Sequence, residues 1–154
     1  MTKAPNFTLP NQDGIPRTLK DYAGKWLVLY FYPKDDTPGC TKEACSFRDE
    51  REVIAELTGA EVVGISRDTI GSHKRFIDKY DLNFELLSDR DHAVAEAFGA
   101  WGMKKFTGRE FIGALRNTYL INPEGQIVKA YEGVTPKDHA AEIINDLKQL
   151  VAKG

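Results

Sequence analysis

Cys40 stands in the run Tyr32-Pro33-Lys34-Asp35-Asp36-Thr37-Pro38-Gly39-Cys40-Thr41, after an apolar strand and at the opening of a helix. The only other cysteine, Cys45, lies five residues further along that helix. The first turn of a helix leaves backbone N–H groups unpaired and carries partial positive charge, which favours a thiolate over a thiol. The thiolate is the nucleophilic form. A second thiol nearby supplies a partner for whatever the first becomes. Thr37 reads as the N-cap, and Pro38 then falls at the first helical position, where proline is favoured. These residue types at this spacing point to thiol redox chemistry.

The elements that must position this thiol are legible on either side. Trp26 to Tyr32 is a near-continuous apolar run that suits a central strand covered on both faces, and Pro33 ends it. A helix follows over 38–57, then a buried strand over 61–66 and a helix over 71–80. Residues 84–88 read as a short strand and 93–98 as a short helix. Before the central strand, 7–9 and 16–19 form a small hairpin around Asp13-Gly14. Residues 99–113 are the longest irregular stretch and a natural mobile rim. Strands over 117–121 and 127–131 make a second hairpin around Asn122-Pro123-Glu124-Gly125. A last amphipathic helix spans 136–151, with Ala140, Ile143, Ile144, Leu147, Leu150 and Val151 on one face.

A chain of 154 residues with no repeat, low-complexity tract or linker is expected to form one domain, 1–154. The order of elements is that of a thioredoxin-like α/β domain: a central mixed sheet, flanking helices and an N-terminal β-hairpin. Pattern alone does not select it over a flavodoxin-like sheet. A net charge of −2 supplies no phosphate-neutralising face, so neither nucleic acid nor an anionic membrane is expected as partner. The pair Lys104-Lys105 reads as solvated surface. The N-terminus has no apolar leader and no run reaches a membrane span, so a cytoplasmic location is expected.

The string Tyr30-Phe31-Tyr32-Pro33, Thr37-Pro38-Gly39-Cys40-Thr41, Glu43-Ala44-Cys45 and Phe47-Arg48-Asp49 resembles the peroxiredoxins, and among them the PrxQ or bacterioferritin comigratory branch. The resemblance runs from Pro5 to the last helix. It implies a thioredoxin fold and a thiol peroxidase in which Cys40 is the peroxidatic cysteine and Thr37 and Pro33 complete its pocket. Arg116, at the start of the strand over 117–121, matches the family's catalytic arginine. The resemblance also implies a monomer whose Cys40 sulfenic acid condenses with Cys45, the disulfide being reduced by thioredoxin or a similar dithiol protein.

Physical chemistry fits those roles. Thiolate attack on a peroxide builds negative charge on the leaving oxygen. A capping threonine and helix N–H groups face the same point, and an arginine offers charged donors in a fixed fork. Pro33, lacking an N–H, screens the sulfur without competing for a hydrogen bond. His73, His92 and His139 are too scattered to make a metal site with Cys-x4-Cys, and no Gly-x-Gly-x-x-Gly or phosphate loop is present. No metal or cofactor is therefore expected. The pair Asp35-Asp36 reads as loop solvation. Two other classes remain open, a protein thiol–disulfide oxidoreductase and a non-catalytic redox sensor. Against the first, such enzymes usually carry Cys-x-x-Cys. Turnover separates the second from an enzyme, which consumes many equivalents of peroxide given a reductant where a sensor consumes one.

Overall fold

The run Leu27 to Phe31 is buried on both faces, as its unbroken hydrophobicity requires. Side chains alternate across a strand, so Val28 and Tyr30 enter one core cluster while Leu27, Leu29 and Phe31 enter the other. The computed structural model describes residues 2–136 and 139–153. Its strands and helices in chain order are β1 (Thr2–Lys3), β2 (Thr8–Pro10), β3 (Pro16–Thr18), β4 (Leu27–Phe31), α1 (Pro38–Thr58), β5 (Glu61–Ser66) and α2 (Ile70–Tyr80). They continue with β6 (Glu85–Ser88), α3 (Ala93–Phe98), β7 (Trp101–Phe106), β8 (Arg109–Ala114), β9 (Thr118–Ile121), β10 (Gln126–Tyr131) and α4 (His139–Lys153).

The main sheet has the order β1-β10-β9-β4-β5-β6. β4, β5 and β6 are parallel, whereas β9 pairs antiparallel with β4 and with β10. A flavodoxin-like sheet would be parallel throughout, so this register selects the thioredoxin-like alternative. α1, α2 and α4 cover one face through Phe47, Ile54, Phe76, Ile143 and Leu147. α3 and the N-terminal segment cover the other through Phe98, Phe7 and Leu9. Each such side chain contributes roughly 1.5–3 kcal/mol by leaving water. The expected hairpin at the N-terminus is present as β2 and β3.

One segment differs from expectation. Residues 99–113 are largely the hairpin β7–β8, paired from Trp101↔Ala114 to Phe106↔Arg109. Its two-residue turn, Thr107-Gly108, has positive φ at both positions, as a tight hairpin requires. The hairpin meets the core at its base, through Trp101, and is open to water further out: Met103 and Ile112 are 62% and 63% exposed. A ribbon that is exposed over most of its length carries no clear alternating pattern, so its sequence does not read as strand. The start expected for the last helix, near Pro136, adjoins positions 137 and 138, which lie outside the described residues. Among the described residues no helix is long and apolar enough to cross a membrane.

Candidate active site

Proline at the first helical position strips one donor from the start of α1 and leaves two. Thr37 holds the N-cap backbone position in extended conformation, and Thr41 N–H donates to its carbonyl at 2.8 Å. Gly39 and Cys40 N–H groups therefore have no acceptor within the helix and are left for whatever sits at its end. The Thr37 hydroxyl does not cap. It donates to the Lys34 carbonyl at 2.9 Å, so its lone pairs are left to accept a proton donor. Cys40 itself is 2% exposed, in line with Ala44, Phe47 and Ile54 on the buried stripe of α1. Cys45 is half-buried, and both thiols are free.

Arg116 comes from the residue pair just before β9. Val134 N–H donates to the Arg116 carbonyl and Phe31 N–H to the Asn117 carbonyl, each at 2.8 Å, so the backbone there is tied to β4. The guanidinium reaches back to α1, with Nη2 3.3 Å from Cys40 Sγ and Nη1 2.8 Å from Glu43 Oε1. Burial pulls the Arg116 pKa down, but the charges of Glu43 and Cys40 outweigh it, so the group sits above its ordinary value and stays protonated. Gly39 permits the approach: a Cβ there would lie 3.3 Å from Nη2. Pro33 and Arg116 line an open cavity of about 420 Å³ with Met103, Lys104, Leu115 and Val134. The structure thus gathers Cys40 and Arg116 at a helix N-terminus, and places Thr37 at its cap and Pro33 at the cavity wall.

Residues 1–130 match the AhpC/TSA family. Peroxiredoxin Bcp of Bacillus subtilis (strain 168) is 48% identical over 151 residues, covering 98% of this chain and 96% of that protein. The chain belongs to the peroxiredoxins. Peroxiredoxin Bcp of Escherichia coli (strain K12) is 42% identical over 95% of this chain and 93% of its own. Among solved structures, the bacterioferritin comigratory protein of Xanthomonas campestris superposes with a TM-score of 0.88 at 39% identity, covering 94% and 92% of the two chains. It was captured as a trapped intermediate and ligand complex in work on its alkyl peroxide reduction. A cysteine-to-serine mutant of PrxQ from Xylella fastidiosa gives 0.88 at 36% identity over 97% of both chains. Fold and family are those of the Bcp/PrxQ peroxiredoxins, and the activity is that of a peroxidase.

Sequence reasoning missed part of this peroxiredoxin's site. Glu43 is fully buried, with Oε1 on Arg116 and Oε2 without a hydrogen-bond partner among the described residues. Burial pushes its pKa up to about 7, against the opposing pull of Arg116. The signal was available: Cys40, Glu43, Ala44 and Phe47 share the spacing of one helical face. Lys104 is not simply solvated surface but half-buried in the cavity wall. Burial, and Arg116 nearby, lower its pKa. Lys105 is exposed, as expected.

Asp35 corrects a second expectation. It is buried at 7% exposure, while Asp36 remains outside, paired with Lys79 and the Tyr80 hydroxyl. The Asp35 carboxylate accepts from the Tyr32 hydroxyl at 2.5 Å and the Ser72 hydroxyl at 2.8 Å, and meets His73 Nδ1 at 2.7 Å. Its N–H donates to Asp68 at 2.9 Å. Asp35, Asp68 and His73 are close enough to be weighed as metal ligands, with all three ligand atoms within 4.8 Å. Two ligands of a tetrahedral zinc, each about 2 Å from the ion, lie roughly 3.3 Å apart. The 2.7 Å contact of Asp35 with His73 is instead the length of a hydrogen bond. His139, also buried, bonds Thr118 Oγ1 at 2.8 Å, and His92 stacks on Trp101 with ring centroids 3.9 Å apart.

Proposed function

We propose that this peroxiredoxin reduces hydrogen peroxide and organic hydroperoxides through Cys40, with Cys45 as resolving thiol and thioredoxin or a similar dithiol protein as reductant. The observation that carries the reading is the Arg116 Nη2 contact with Cys40 Sγ at 3.3 Å, made at a helix end where the Gly39 and Cys40 N–H groups have no acceptor within the helix. The Cys40 thiolate attacks one peroxide oxygen and the O–O bond breaks. Sulfur gains that oxygen as sulfenic acid, and the other oxygen leaves as hydroxide or alkoxide and is protonated to water or alcohol. Arg116 and the helix N–H groups stabilise the charge that develops on the leaving oxygen. The Thr37 hydroxyl, its own hydrogen donated to the Lys34 carbonyl, accepts a hydrogen bond from the peroxide O–H and orients the bond. Pro33 walls the sulfur from water.

Cys45 then attacks the sulfenic sulfur, forming a disulfide and releasing water. An external dithiol reduces that disulfide and is itself oxidised. All five residues come from one chain, so a monomer carries the complete site. Two free thiols suit a reducing cytoplasm. The test is steady-state peroxide consumption with thioredoxin, its reductase and NADPH. Wild type is expected to turn over many equivalents. Cys40→Ser is expected to be inert, and Cys45→Ser to react once and stall. Single-equivalent consumption by wild type would replace the enzyme with a redox sensor.

A further inference from the structure

The loop between β4 and α1 carries Pro33 and Thr37, yet it is short and has an unusual backbone. Asp36 sits at φ 54°, in the left-handed region that is uncommon outside glycine though less so for aspartate, and its surroundings hold it there. Those surroundings belong largely to α2. Lys79 Nζ and the Tyr80 hydroxyl bond the Asp36 carboxylate at 2.8 and 2.7 Å. One turn and more towards the start of the same helix, Ser72 and His73 bond the Asp35 carboxylate. The Asp35 N–H is taken by Asp68, whose Oδ2 also accepts from the Ser66 hydroxyl at 2.6 Å. The loop is therefore pinned at consecutive residues, from below and from the side.

His73 is the buried anchor of this arrangement. It is wholly inaccessible to solvent, with Nδ1 on Asp35 and Nε2 3.0 Å from the Leu87 carbonyl of β6. A carbonyl only accepts, so Nε2 donates to Leu87, while Nδ1 meets the Asp35 carboxyl at 2.7 Å. The imidazole thus spans from the parallel edge of the sheet to the loop beside the thiol. Its hydrogen bonds go to Asp35, Leu87 and the Tyr32 hydroxyl, and none reaches Pro33, Thr37, Cys40 or Arg116.

We propose that His73 is a positioning residue for peroxide reduction, acting through Asp35 to fix the loop that presents Pro33 and Thr37 to the Cys40 sulfur. This rests on Cys40 being the attacking thiol. Peroxide attack needs the O–O bond aligned by Thr37, whereas alkylation of the same sulfur does not. Loosening the loop should therefore slow the first reaction and spare the second. Displacement of an aligning group by about 1 Å is worth on the order of a hundredfold in rate.

The experiment measures two second-order rates on reduced full-length protein: Cys40 oxidation by hydrogen peroxide and Cys40 alkylation by iodoacetamide, read on its own peptide. His73→Gln keeps a donor near the Nε2 position and loses the bond to Asp35. His73→Asn keeps a donor near Nδ1 and loses the bond to Leu87. His73→Gln is expected to cut the peroxide rate by about a hundredfold with alkylation unchanged, and His73→Asn to recover most of it. Asp35→Asn combined with His73→Gln is expected to be no slower than the slower single variant. Ser72→Ala removes only a hydroxyl at the edge of the network and covers the case in which a buried substitution misfolds. It is expected to slow peroxide alone by about fivefold. A parallel fall in both rates, equal rates for the Gln and Asn variants, additive single effects, or an unchanged peroxide rate in Ser72→Ala would each overturn the proposal. Cys40→Ser keeps the two readings apart, because peroxide consumption surviving there removes Cys40 as nucleophile whatever the loop variants do.

Discussion

Arg116 and Glu43 meet at 2.8 Å, Nη1 to Oε1, with the carboxylate fully buried and the guanidinium turned so that its other arm reaches Cys40. A planar fork with one arm held by a carboxylate has only one orientation left for the other arm. Glu43 thereby fixes the direction from which positive charge meets the sulfur.

Arg116→Lys keeps the charge and loses the fork. One ammonium on a flexible stem does not hold both partners in the same geometry. The second-order rate of Cys40 oxidation is expected to fall by about 10²–10³, the range for removing one oxyanion donor. Arg116→Ala is expected to fall at least as far, with the fold retained. Stopped-flow oxidation of the reduced protein measures both, and an unchanged rate in either removes Arg116 from the chemistry.

Glu43 makes stability depend on pH in a defined direction. Burial raises its pKa in the folded state to about 7, from an ordinary 4.5. The folded protein therefore binds this proton more tightly than the unfolded chain. The stability so gained is fully present below pH 4.5 and is lost as pH rises through 7. Glu43→Gln cannot titrate. Relative to that variant, wild type is expected to lose roughly 1–3 kcal/mol between pH 4.5 and 8, read from urea midpoints. A wild type that gains stability over the same interval contradicts the assignment.

Gly39→Ala separates activity from stability. Its Cβ would stand 3.3 Å from Arg116 Nη2, closer than a side chain settles without displacement. Alanine is the better helix former by up to about 1 kcal/mol, so the melting temperature is expected to hold or rise. The guanidinium must retreat, and the peroxide rate is expected to fall by about tenfold, a loss near 1.4 kcal/mol. Equal peroxide rates would mean that the arginine accommodates the methyl group without leaving the sulfur.

Much of this was legible because local chemistry and global fold agree along β4 and α1. The apolar run, the proline, the N-cap position and the buried stripe each carry their own signal. Asp35 was not legible, since an aspartate in a loop is ordinarily solvated and only tertiary contacts with Ser72 and His73 bury it. Glu43 was missed although its helical spacing placed it on the apolar face, because charged residues rarely sit there unless paired. Its partner Arg116 is 73 residues away in sequence. The hairpin β7–β8 left no clear pattern because, beyond Trp101 at its base, most of it is exposed.

Forming the proposed Cys40–Cys45 bond requires the start of α1 to come apart. Five residues rise about 7.5 Å along a helix and turn through about 140°. A disulfide needs Cα atoms within roughly 7 Å and converging Cβ vectors. Neither condition holds in α1, which is unbroken from Pro38 to Thr58 with Cys40 buried and Cys45 half-buried. Melting must break the Thr41 N–H bond to Thr37 and the Arg116–Glu43 pair. It is expected to stop before Phe47, which is fully buried and stacks on Tyr30 with centroids 4.8 Å apart. Arg48 adds a clamp there: its Nη1 donates to the Tyr80 carbonyl at 2.6 Å, and Asn83 Nδ2 donates to the Arg48 carbonyl at 3.2 Å. Amide exchange in the oxidised protein is therefore expected to accelerate over 39–46 and to stay slow from Phe47 onward. An oxidised protein with the helix intact through Cys45, a disulfide linking two chains, or fast exchange spreading past Arg48 would each contradict this. The clamp also sets the fate of Cys45→Ser: with no thiol to draw the first turns open, its Cys40 sulfenic acid stays buried beside Arg116 and is expected to pass to the sulfinic state under excess peroxide.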